Sequence, residues 1–267
     1  SFVLLILIGL ASIITVASII FIIIYILVNG IPNLTTDLFS LHYNSKNQSM
    51  LPSIFNTEFI TLLTLLIAVP IGIFSAVYLV EYAKKGSKLV KVIRVTTETL
   101  AGIPSIVFGL FGFLAFVIAL GWGYSMIAGV LTLVMMVLPT IIRTTEEALL
   151  AVPNSYREGS FGLGAGKIRT IFKIIVPTAI PGILSGVILA IGRIVGETAA
   201  LIYTSGTVAE TATSLTDSAR TLSVHLYCLL SEGLFTNQAY ATAVILLLLV
   251  VGINALSNFI AKKLAKK

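Results

Sequence analysis

The sequence predicts an all-α membrane protein with six transmembrane helices. Of its 267 residues, 57% are hydrophobic and only 10% are charged, whereas a soluble domain carries about 25% charged residues. The apolar residues lie in runs of about 20, the length of helix that crosses roughly 30 Å of hydrocarbon. Six such runs occupy about half the chain and leave no room for a separate ATPase domain.

Polar segments separate the six predicted spans, and we expect one domain over residues 1–267. The spans are predicted at about 2–29, 59–82, 97–120, 124–142, 174–203 and 239–261. The apolar core of the first run is too long for a secretory signal peptide, so we expect it to be retained as a span. Prolines lie within or beside several spans, where each removes a backbone donor and favours a kink. These prolines are Pro70, Pro104, Pro139, Pro177 and Pro181.

The positive charges predict how the chain is oriented in the cell membrane. Fourteen of the 17 Lys and Arg residues follow span two, follow span four or end the chain. The segments 30–57 and 204–238 hold only Lys46 and Arg220, and Arg193 lies inside span five. Because cytoplasmic loops are enriched in Lys and Arg, we expect both termini to be cytoplasmic. The same asymmetry explains the net charge of +6 without a nucleic-acid partner.

The sequence offers no catalytic, metal or cofactor site. A single cysteine, Cys228, cannot form an internal disulfide, and two histidines give no clustered zinc spacing. The run Gly164–Lys167 resembles a nucleotide-binding loop only briefly. Phe161 stands where that loop needs glycine, and Ile168 stands where it needs a hydroxyl residue. We therefore expect a non-catalytic membrane subunit without a cofactor or bound metal.

The long loop from Arg143 to Lys173, predicted to be cytoplasmic, contains a short helical pattern at about 154–164. Asn154 or Ser155 can cap its start, and Gly162 or Gly164 can end it. A short capped helix that projects from a membrane domain is suited to a groove on a partner protein. A solvated connector is the alternative, but it gives the apolar residues of the segment no role. The predicted docking residues are Asn154, Ser155, Tyr156, Arg157, Glu158, Gly159, Ser160, Phe161, Gly162, Leu163 and Gly164.

This loop resembles the cytoplasmic signature of the permease subunits of ABC importers. The signature reads Glu-Ala-Ala, three residues, Gly, nine residues, then Ile, any residue, Leu and Pro. Glu158 and Gly164 occupy the first and second anchor positions, and Ile174, Val176 and Pro177 close the pattern. Both alanines and the leucine are replaced, but the spacing is complete. The resemblance implies a type I importer permease whose coupling helix docks on a separate ATPase subunit and transmits its closure.

Three further runs resemble the PstA family, the A-type permease subunits of phosphate ABC importers. They are Leu100–Gly112, Gly192–Ala199, and Thr221–Tyr227 followed by Ser231–Gly233, and the first two are shared with the sister permease family. The resemblance implies a complex of this permease, a sister permease, a dimer of ATPase subunits and an extracytoplasmic phosphate-binding protein. Two alternatives stay open. One is a permease for sulfate, molybdate or phosphonate, and the other is a secondary transporter or channel that needs no ATPase.

Arg193 and Glu197 are the strongest candidates for the substrate pathway. They are four residues apart, so we expect them on one face of span five. A charge in hydrocarbon is costly, so each should face the other, a partner helix or water. A structural ion pair and a substrate contact are both compatible with this spacing. Two GxxxG pairs, at 182 and 186 and at 192 and 196, should let helices approach closely beside that face.

Other polar residues are expected to mark topology rather than function. Glu58, Glu81 and Glu98 fall near predicted membrane surfaces, where a carboxylate can reach water. His225 belongs to the predicted outer segment 204–238, where leucines recur at helical spacing. This segment is expected to dip into the outer membrane surface or to lie along it.

Overall fold

The computed structural model of the chain describes residues 2–84 and 86–265, and every long element among them is a helix. The helices are α1 (Phe2–Gly30), α2 (Leu51–Val77), α3 (Lys88–Ala101), α4 (Ser105–Gly112), α5 (Met126–Leu150), α6 (Asn154–Gly162), α7 (Lys167–Thr170), α8 (Val176–Val195), α9 (Ala199–Thr204), α10 (Leu222–Glu232) and α11 (Thr236–Ala265). Helices α2 and α4 continue as π-helical turns, Tyr78–Tyr82 and Phe113–Ala119, and a third such turn, Ile171–Ile175, joins α7 to α8.

The described residues contain five helical stretches that are long and apolar enough to cross a bilayer. They are Leu4–Asn33, Leu51–Tyr82, Met126–Leu150, Lys167–Val195 and Thr236–Phe259. A sixth crossing arises if the bent pair Val90–Ala101 and Ser105–Ala119 counts as one span. The prediction of an all-α membrane protein is therefore confirmed.

The third predicted span, 97–120, is not one straight helix. Helices α3 and α4 meet at an angle of 102°. Pro104 disfavours the helical conformation at the residue before it, Ile103, and then occupies the N-cap position of α4. The sharp bend is the physical consequence of the Gly-Ile-Pro sequence at 102–104.

The fourth and fifth predicted spans also differ from the structure. Helix α5 continues eight residues beyond 142, because its charged residues find partners and do not end the helix. The predicted span 174–203 is divided, since α8 ends at Val195 and α9 begins at Ala199. The sixth span begins near its predicted position, at Thr236.

Helix α5 lies at the centre of the molecule and packs against α2, α3, α4, α8 and α9. Leu133, Met136 and Ile141 of α5 are fully buried in this core. Helix α1 packs mainly against α11, where the Tyr25 and Tyr240 hydroxyls lie 3.2 Å apart, and most of its surface is exposed. The core is therefore built around α5, with α1 at the periphery.

The α5–α8 contact is close because of two glycines. A methyl group at Gly182 would lie 2.6 Å from the Ala148 Cβ, and one at Gly186 would overlap the Thr144 side chain. The contact positions run in opposite directions along the two helices, which are antiparallel. The predicted close approach at 182 and 186 is thus present. At 192 and 196, by contrast, no other helix of the described chain comes within 4 Å of the Cβ position.

Candidate functional site

Helix α6 forms at the predicted docking segment but is shorter than predicted. It covers Asn154–Gly162, and Pro153 occupies the capping position without a side-chain hydrogen bond. The prediction that Asn154 or Ser155 caps the helix is therefore wrong. A proline that fixes an extended backbone before the first turn replaces the side-chain cap.

The end of α6 follows the glycine pattern of the sequence. The Ala165 N–H donates to the Ser160 carbonyl (3.1 Å), and the Gly164 N–H donates to the Phe161 carbonyl (2.9 Å). With φ of +79° at Gly164, these two bonds form a Schellman motif. No other atom group lies within 4 Å of the Cβ position of Gly164. The glycine is therefore required by the backbone angle and not by lack of space.

One side of α6 is exposed and carries large apolar residues. Tyr156 and Phe161 are each 48% exposed, and Leu163, just after the helix, is 91% exposed. Asn154, Ser155, Glu158, Gly159, Gly162 and Gly164 are exposed as well. An apolar surface of this kind in a polar loop is typical of an interface with a partner.

The other side of α6 is fixed to the membrane domain by Arg157. Its guanidinium donates to Glu81 Oε1 from Nη2 (2.6 Å) and Nε (3.0 Å). It also donates to the carbonyls of Leu149 (3.1 Å) and Val152 (3.0 Å), at and just after the end of α5. The two charged side chains are only 16% and 9% exposed. Arg157 thus links α6 to the ends of α2 and α5.

A second buried contact holds α6 to α7. Ser160 is buried, and its hydroxyl lies 2.8 Å from the hydroxyl of Thr170. Arg157 and Ser160 therefore face inward, whereas the remaining predicted docking residues face outward. The sequence placed all of them in one docking set. It did not separate the anchors from the free surface, because Glu81 and Thr170 are distant in sequence.

The structure places Arg193 and Glu197 in different elements. Helix α8 ends at Val195, so the prediction that both lie on one helical face is wrong. Glu197 is 7% exposed, and its Oε1 accepts a hydrogen bond from the Ala200 N–H (3.0 Å) in the first turn of α9. The Ser223 hydroxyl donates to the Glu197 carbonyl (2.6 Å). Glu197 therefore secures the junction that follows α8.

Arg193 remains partly exposed in the last turn of α8. Among residues 2–84 and 86–265, its guanidinium has no hydrogen-bond or ion-pair partner. The expected Arg193–Glu197 pair does not form, because α8 ends between the two residues and the Glu197 carboxylate accepts a hydrogen bond from the Ala200 N–H instead. An unpaired arginine inside an apolar stretch needs water, a ligand or a partner chain.

Helix α5 carries two ion pairs that the sequence analysis did not identify. Arg94 of α3 donates from Nε to Glu146 Oε1 (2.7 Å), and Glu146 is largely buried. Arg143 donates from Nε to Glu147 Oε1 (3.0 Å) on an exposed face. The apolar run ends at 142, and the sequence therefore predicts a cytoplasmic loop at these residues. The i to i+4 spacing of Arg143 and Glu147 was the available signal.

The opposite end of the molecule is held together by the Asn56 side chain. Its Nδ2 donates to the carbonyls of Glu210 (2.9 Å) and Arg220 (3.2 Å), and its Oδ1 accepts from the Ala212 N–H (3.0 Å). Glu58, near Asn56 in sequence, is exposed, as expected for a residue near a membrane surface. The segment between α9 and α10 is therefore fixed to the start of α2.

His225 is buried beneath the same segment. Arg220 donates from Nη1 to His225 Nδ1 (3.4 Å), and the Tyr43 ring packs edge-on against the imidazole. Burial, and secondarily the positive charge of Arg220, lower the pKa of His225 to about 4. The histidine is thus a neutral core residue of the segment. Within the described parts of the chain, no group of three or more His, Cys, Asp or Glu side chains could hold a metal ion.

The sequence matches a known family over most of its length. The profile of the binding-protein-dependent transport system inner membrane component matches residues 68–267. The chain is 32% identical to the Bacillus subtilis (strain 168) protein named "Probable ABC transporter permease protein YqgI", over 97% of this chain and 94% of that one.

Relatives named phosphate transport system permease protein PstA match over shorter segments. The chain is 45% identical to PstA 1 of Mycobacterium tuberculosis (strain ATCC 25618 / H37Rv), over 52% of this chain and 45% of that one. It is 36% identical to PstA of Xylella fastidiosa (strain 9a5c), over 66% and 62%. These matches span less than two thirds of the length of either relative.

Two solved structures share the fold. A transporter subunit from a bacterial ABC transporter involved in the import of the acidic polysaccharide alginate has a TM-score of 0.68 at 16% identity, covering 96% of each chain. The MetNI methionine ABC transporter, in an inward-facing conformation, gives 0.61 at 19% identity, covering 80% of this chain and 93% of that one.

Proposed function

We propose that this chain, which belongs to the family of binding-protein-dependent transport system inner membrane components, is the A-type permease subunit of an ATP-driven phosphate importer. In this role it forms half of the translocation pathway and couples closure of an ATPase dimer to alternating access. Its partners are a sister permease, two ATPase subunits, an extracytoplasmic phosphate-binding protein and membrane lipid. Hydrolysis of ATP takes place on the ATPase subunits.

The arrangement of α6 is the observation that carries the coupling role. Its outward side presents Tyr156, Phe161 and Leu163, while Arg157 fixes its inward side to the ends of α2 and α5. A push on the exposed side is therefore transmitted to α2 through the buried Arg157–Glu81 ion pair and to α5 through hydrogen bonds to backbone carbonyls. A flexible connector would dissipate the same displacement, and a secondary transporter or channel needs no such surface.

The choice of phosphate is supported by the PstA relatives and by Arg193. A guanidinium can hold two oxygens of a tetrahedral anion through parallel hydrogen bonds, and Arg193 has no competing partner in the described chain. Glu197 acts as a positioning residue, because its contacts fix the backbone just after Arg193. Permeases for sulfate, molybdate or phosphonate are the second candidate, since each of these oxyanions fits the same fork.

Purification through a tag on this chain tests the assembly directly. We expect the intact complex to contain a nucleotide-binding subunit and a second permease. In vesicles, we expect it to transport phosphate only when ATP is present on the side of the membrane where the ATPase subunits lie. A complex without a nucleotide-binding subunit would overturn the ABC assignment. A complex that takes up sulfate or molybdate with ATP, and whose uptake of that anion is not inhibited by a tenfold excess of phosphate, would be a permease for another oxyanion.

The membrane orientation is tested by single cysteines in a Cys228→Ser background. We propose that segments 30–57 and 204–238 lie outside and that both termini, residues 84–94 and residues 143–173 lie in the cytoplasm. Lys46→Cys and Lys88→Cys should then react with an impermeant maleimide from opposite sides of the membrane. Labelling of both from the same side would refute this topology.

A further inference from the structure

An open hollow with three basic residues lies beside α7, at the end of the molecule that carries α6. Its volume is about 830 Å³. Lys167, Arg169 and Lys173 are all exposed there. Among residues 2–84 and 86–265, none of the three side chains makes an ion pair. We call this site the basic hollow, and its lining residues are Gly166, Lys167, Ile168, Arg169, Phe172 and Lys173.

The basic hollow lies where the chain enters the membrane. The apolar stretch Lys167–Val195 is long enough to cross a bilayer, and Lys167 is its first residue. Lys173 is six residues further on, or roughly 9 Å along a helix axis. The headgroup layer on each side of the hydrocarbon is about 5–8 Å thick, and a lysine side chain can extend back toward that layer. The basic side chains can therefore reach one layer of headgroups.

Aromatic contacts with α2 distinguish the headgroup end of the hollow from its hydrocarbon end. The Lys167 Nζ lies 4.6 Å from the centroid of the Tyr82 ring, and tyrosine is enriched at membrane surfaces. Deeper in the span, the ring centroids of Phe74 and Phe172 are 6.4 Å apart, and both side chains are exposed. Cations and an exposed apolar surface therefore follow each other in the order in which a phospholipid carries its headgroup and its acyl chains.

The basic residues of the hollow lack a negative partner. Arg169 and Lys173 are four residues apart, and like charges at this spacing repel each other on a helix. An acidic side chain would offset the repulsion, but none pairs with them in the described chain. A phosphodiester supplies a negative charge, since a guanidinium can hold its two free oxygens through parallel hydrogen bonds and a lysine binds it as a point charge.

We propose that the basic hollow binds the phosphate of an anionic phospholipid, whose acyl chains lie against Phe74 and Phe172. Basic pockets between membrane helices are suited to acidic headgroups. A free inorganic anion would leave the exposed apolar residues Ile168 and Phe172 without a contact, which favours the lipid. This inference rests on the membrane location of the chain and not on the substrate that the chain transports.

The proposed lipid site and the docking helix α6 lie on opposite sides of one segment. Thr170, between the basic residues, is buried, and its hydroxyl lies 2.8 Å from the hydroxyl of Ser160 in α6. Arg169 and Lys173 are exposed instead. Because Ser160, Thr170 and the Arg157 anchor stay unchanged, variants of the hollow should keep α6 in place and retain the ATPase subunits.

The test measures the lipid that binds to the whole complex. The purified complex is titrated with phosphatidylglycerol, which is anionic, or with phosphatidylcholine, which is zwitterionic, and native mass spectrometry counts the bound molecules. We expect wild type to bind phosphatidylglycerol in preference to phosphatidylcholine. We expect Lys173→Gln to weaken the tightest phosphatidylglycerol binding about fivefold, and the double variant with Lys167→Gln to weaken it about thirtyfold.

Two control variants separate the hollow from a general attraction to charged lipid. Lys91→Gln removes an exposed lysine of α3 that does not line the hollow. It should bind phosphatidylglycerol like wild type, and so should Lys173→Arg, which keeps the charge. An equal loss of binding in Lys91→Gln and Lys173→Gln would refute a defined site.

Three further results distinguish the lipid from other occupants and from the proposed function. Displacement of the bound phosphatidylglycerol by inorganic phosphate would assign the hollow to a free anion. Loss of the ATPase subunits from Lys173→Gln, with unchanged lipid binding, would assign it to the ATPase interface. Either result would overturn the lipid site. A complex that binds phosphatidylglycerol as expected but transports no phosphate would refute the proposed function alone.

Discussion

Arg157 and Arg193 are both partly or fully withdrawn from water, yet their surroundings differ completely. Arg157 makes bonds to Glu81 and to two backbone carbonyls, and its side chain is 16% exposed. Arg193 has none of these contacts among the described residues. A guanidinium whose donors are hydrogen-bonded to two parts of a protein holds those parts together, because separating them leaves buried groups unpaired. A guanidinium with unused donors is available to a ligand.

Arg143 falls between these two cases. One side of its guanidinium is occupied by Glu147, and the other is free. The three arginines therefore differ in how many of their donors the protein itself uses. The comparison gives two of them different expected responses to substitution: loss of assembly for Arg157 and loss of transport for Arg193.

The largest effect is expected at Arg157. Arg157→Gln leaves the Glu81 carboxylate buried without its partner, which costs about 3–5 kcal/mol. We expect α6 to detach from the ends of α2 and α5 and the ATPase subunits to be lost from the purified complex. Quantitative gel analysis of the tagged complex measures this loss. Arg169→Gln is the matched control, since Arg169 is exposed. Full ATPase occupancy in the Arg157→Gln complex would show that α6 does not depend on this anchor.

Arg193→Lys should impair transport without impairing assembly. Lysine keeps the positive charge but cannot reproduce two parallel bonds to an oxyanion, so we expect uptake to fall by about tenfold or more. The measurement is ATP-driven phosphate uptake, with subunit composition determined on the same preparation. Unchanged uptake would show that Arg193 does not bind the transported anion and that the substrate pathway lies elsewhere.

Two glycines of the docking segment should respond with opposite signs. Gly164→Ala forces a side chain into the left-handed region at φ of +79°, which costs about 1–2 kcal/mol. Gly159→Ala lies within α6 with no atom in the way and should gain about 0.5–1 kcal/mol through helix propensity. Thermal denaturation of the purified complex compares them. Equal shifts would contradict the Schellman geometry at the end of α6.

We expect His225 to make a smaller, pH-dependent contribution to the stability of the protein. Its pKa is about 4 in the folded chain, below the ordinary value of 6.5, because it is buried beside Arg220. The unfolded chain therefore takes up a proton first as pH falls from about 6.5 toward 4, and stability declines over this window by at most ~1.4 kcal/mol per pH unit. The melting temperature of wild type should drop more between pH 7 and pH 5 than that of His225→Asn.

His42→Asn is the control for this pH dependence, since His42 is exposed near the same segment. We expect it to melt like wild type at both pH values. If the His225→Asn protein loses as much stability between pH 7 and pH 5 as wild type does, the buried histidine does not contribute to the pH dependence.

The spans could be predicted from sequence because each depends on local composition. Runs of about 20 apolar residues are sufficient to identify them. The bend at 102–104 was also signalled locally, by Pro104, but the apolar run continued through it and concealed the break. Hydropathy does not predict the extension of α5 to Leu150, because the apolar run stops at Arg143, whereas ion pairs of Arg143 and Glu146 allow the helix to continue.

The candidate site was predictable only in part. The spacing from Glu158 to Pro177 predicts a docking segment, and a helix, α6, forms at that position. The Arg157–Glu81 pair joins residues 76 positions apart, a distance over which a single sequence carries no pairing signal. The spacing of Arg193 and Glu197 suggested one helical face, but α8 ends between them. Residues i and i+4 share a face only when both lie in the same uninterrupted helix.

ATP hydrolysis and phosphate uptake, measured together on reconstituted wild type and Arg193→Gln, give the most direct test of the proposed function. We expect wild type to accumulate phosphate only with ATP, and to hydrolyse ATP faster when the phosphate-loaded binding protein is present. Arg193→Gln should retain its ATPase subunits and basal hydrolysis but lose phosphate uptake. Accumulation of phosphate without ATP, or normal uptake by Arg193→Gln, would contradict a phosphate pathway through Arg193 driven by a docked ATPase.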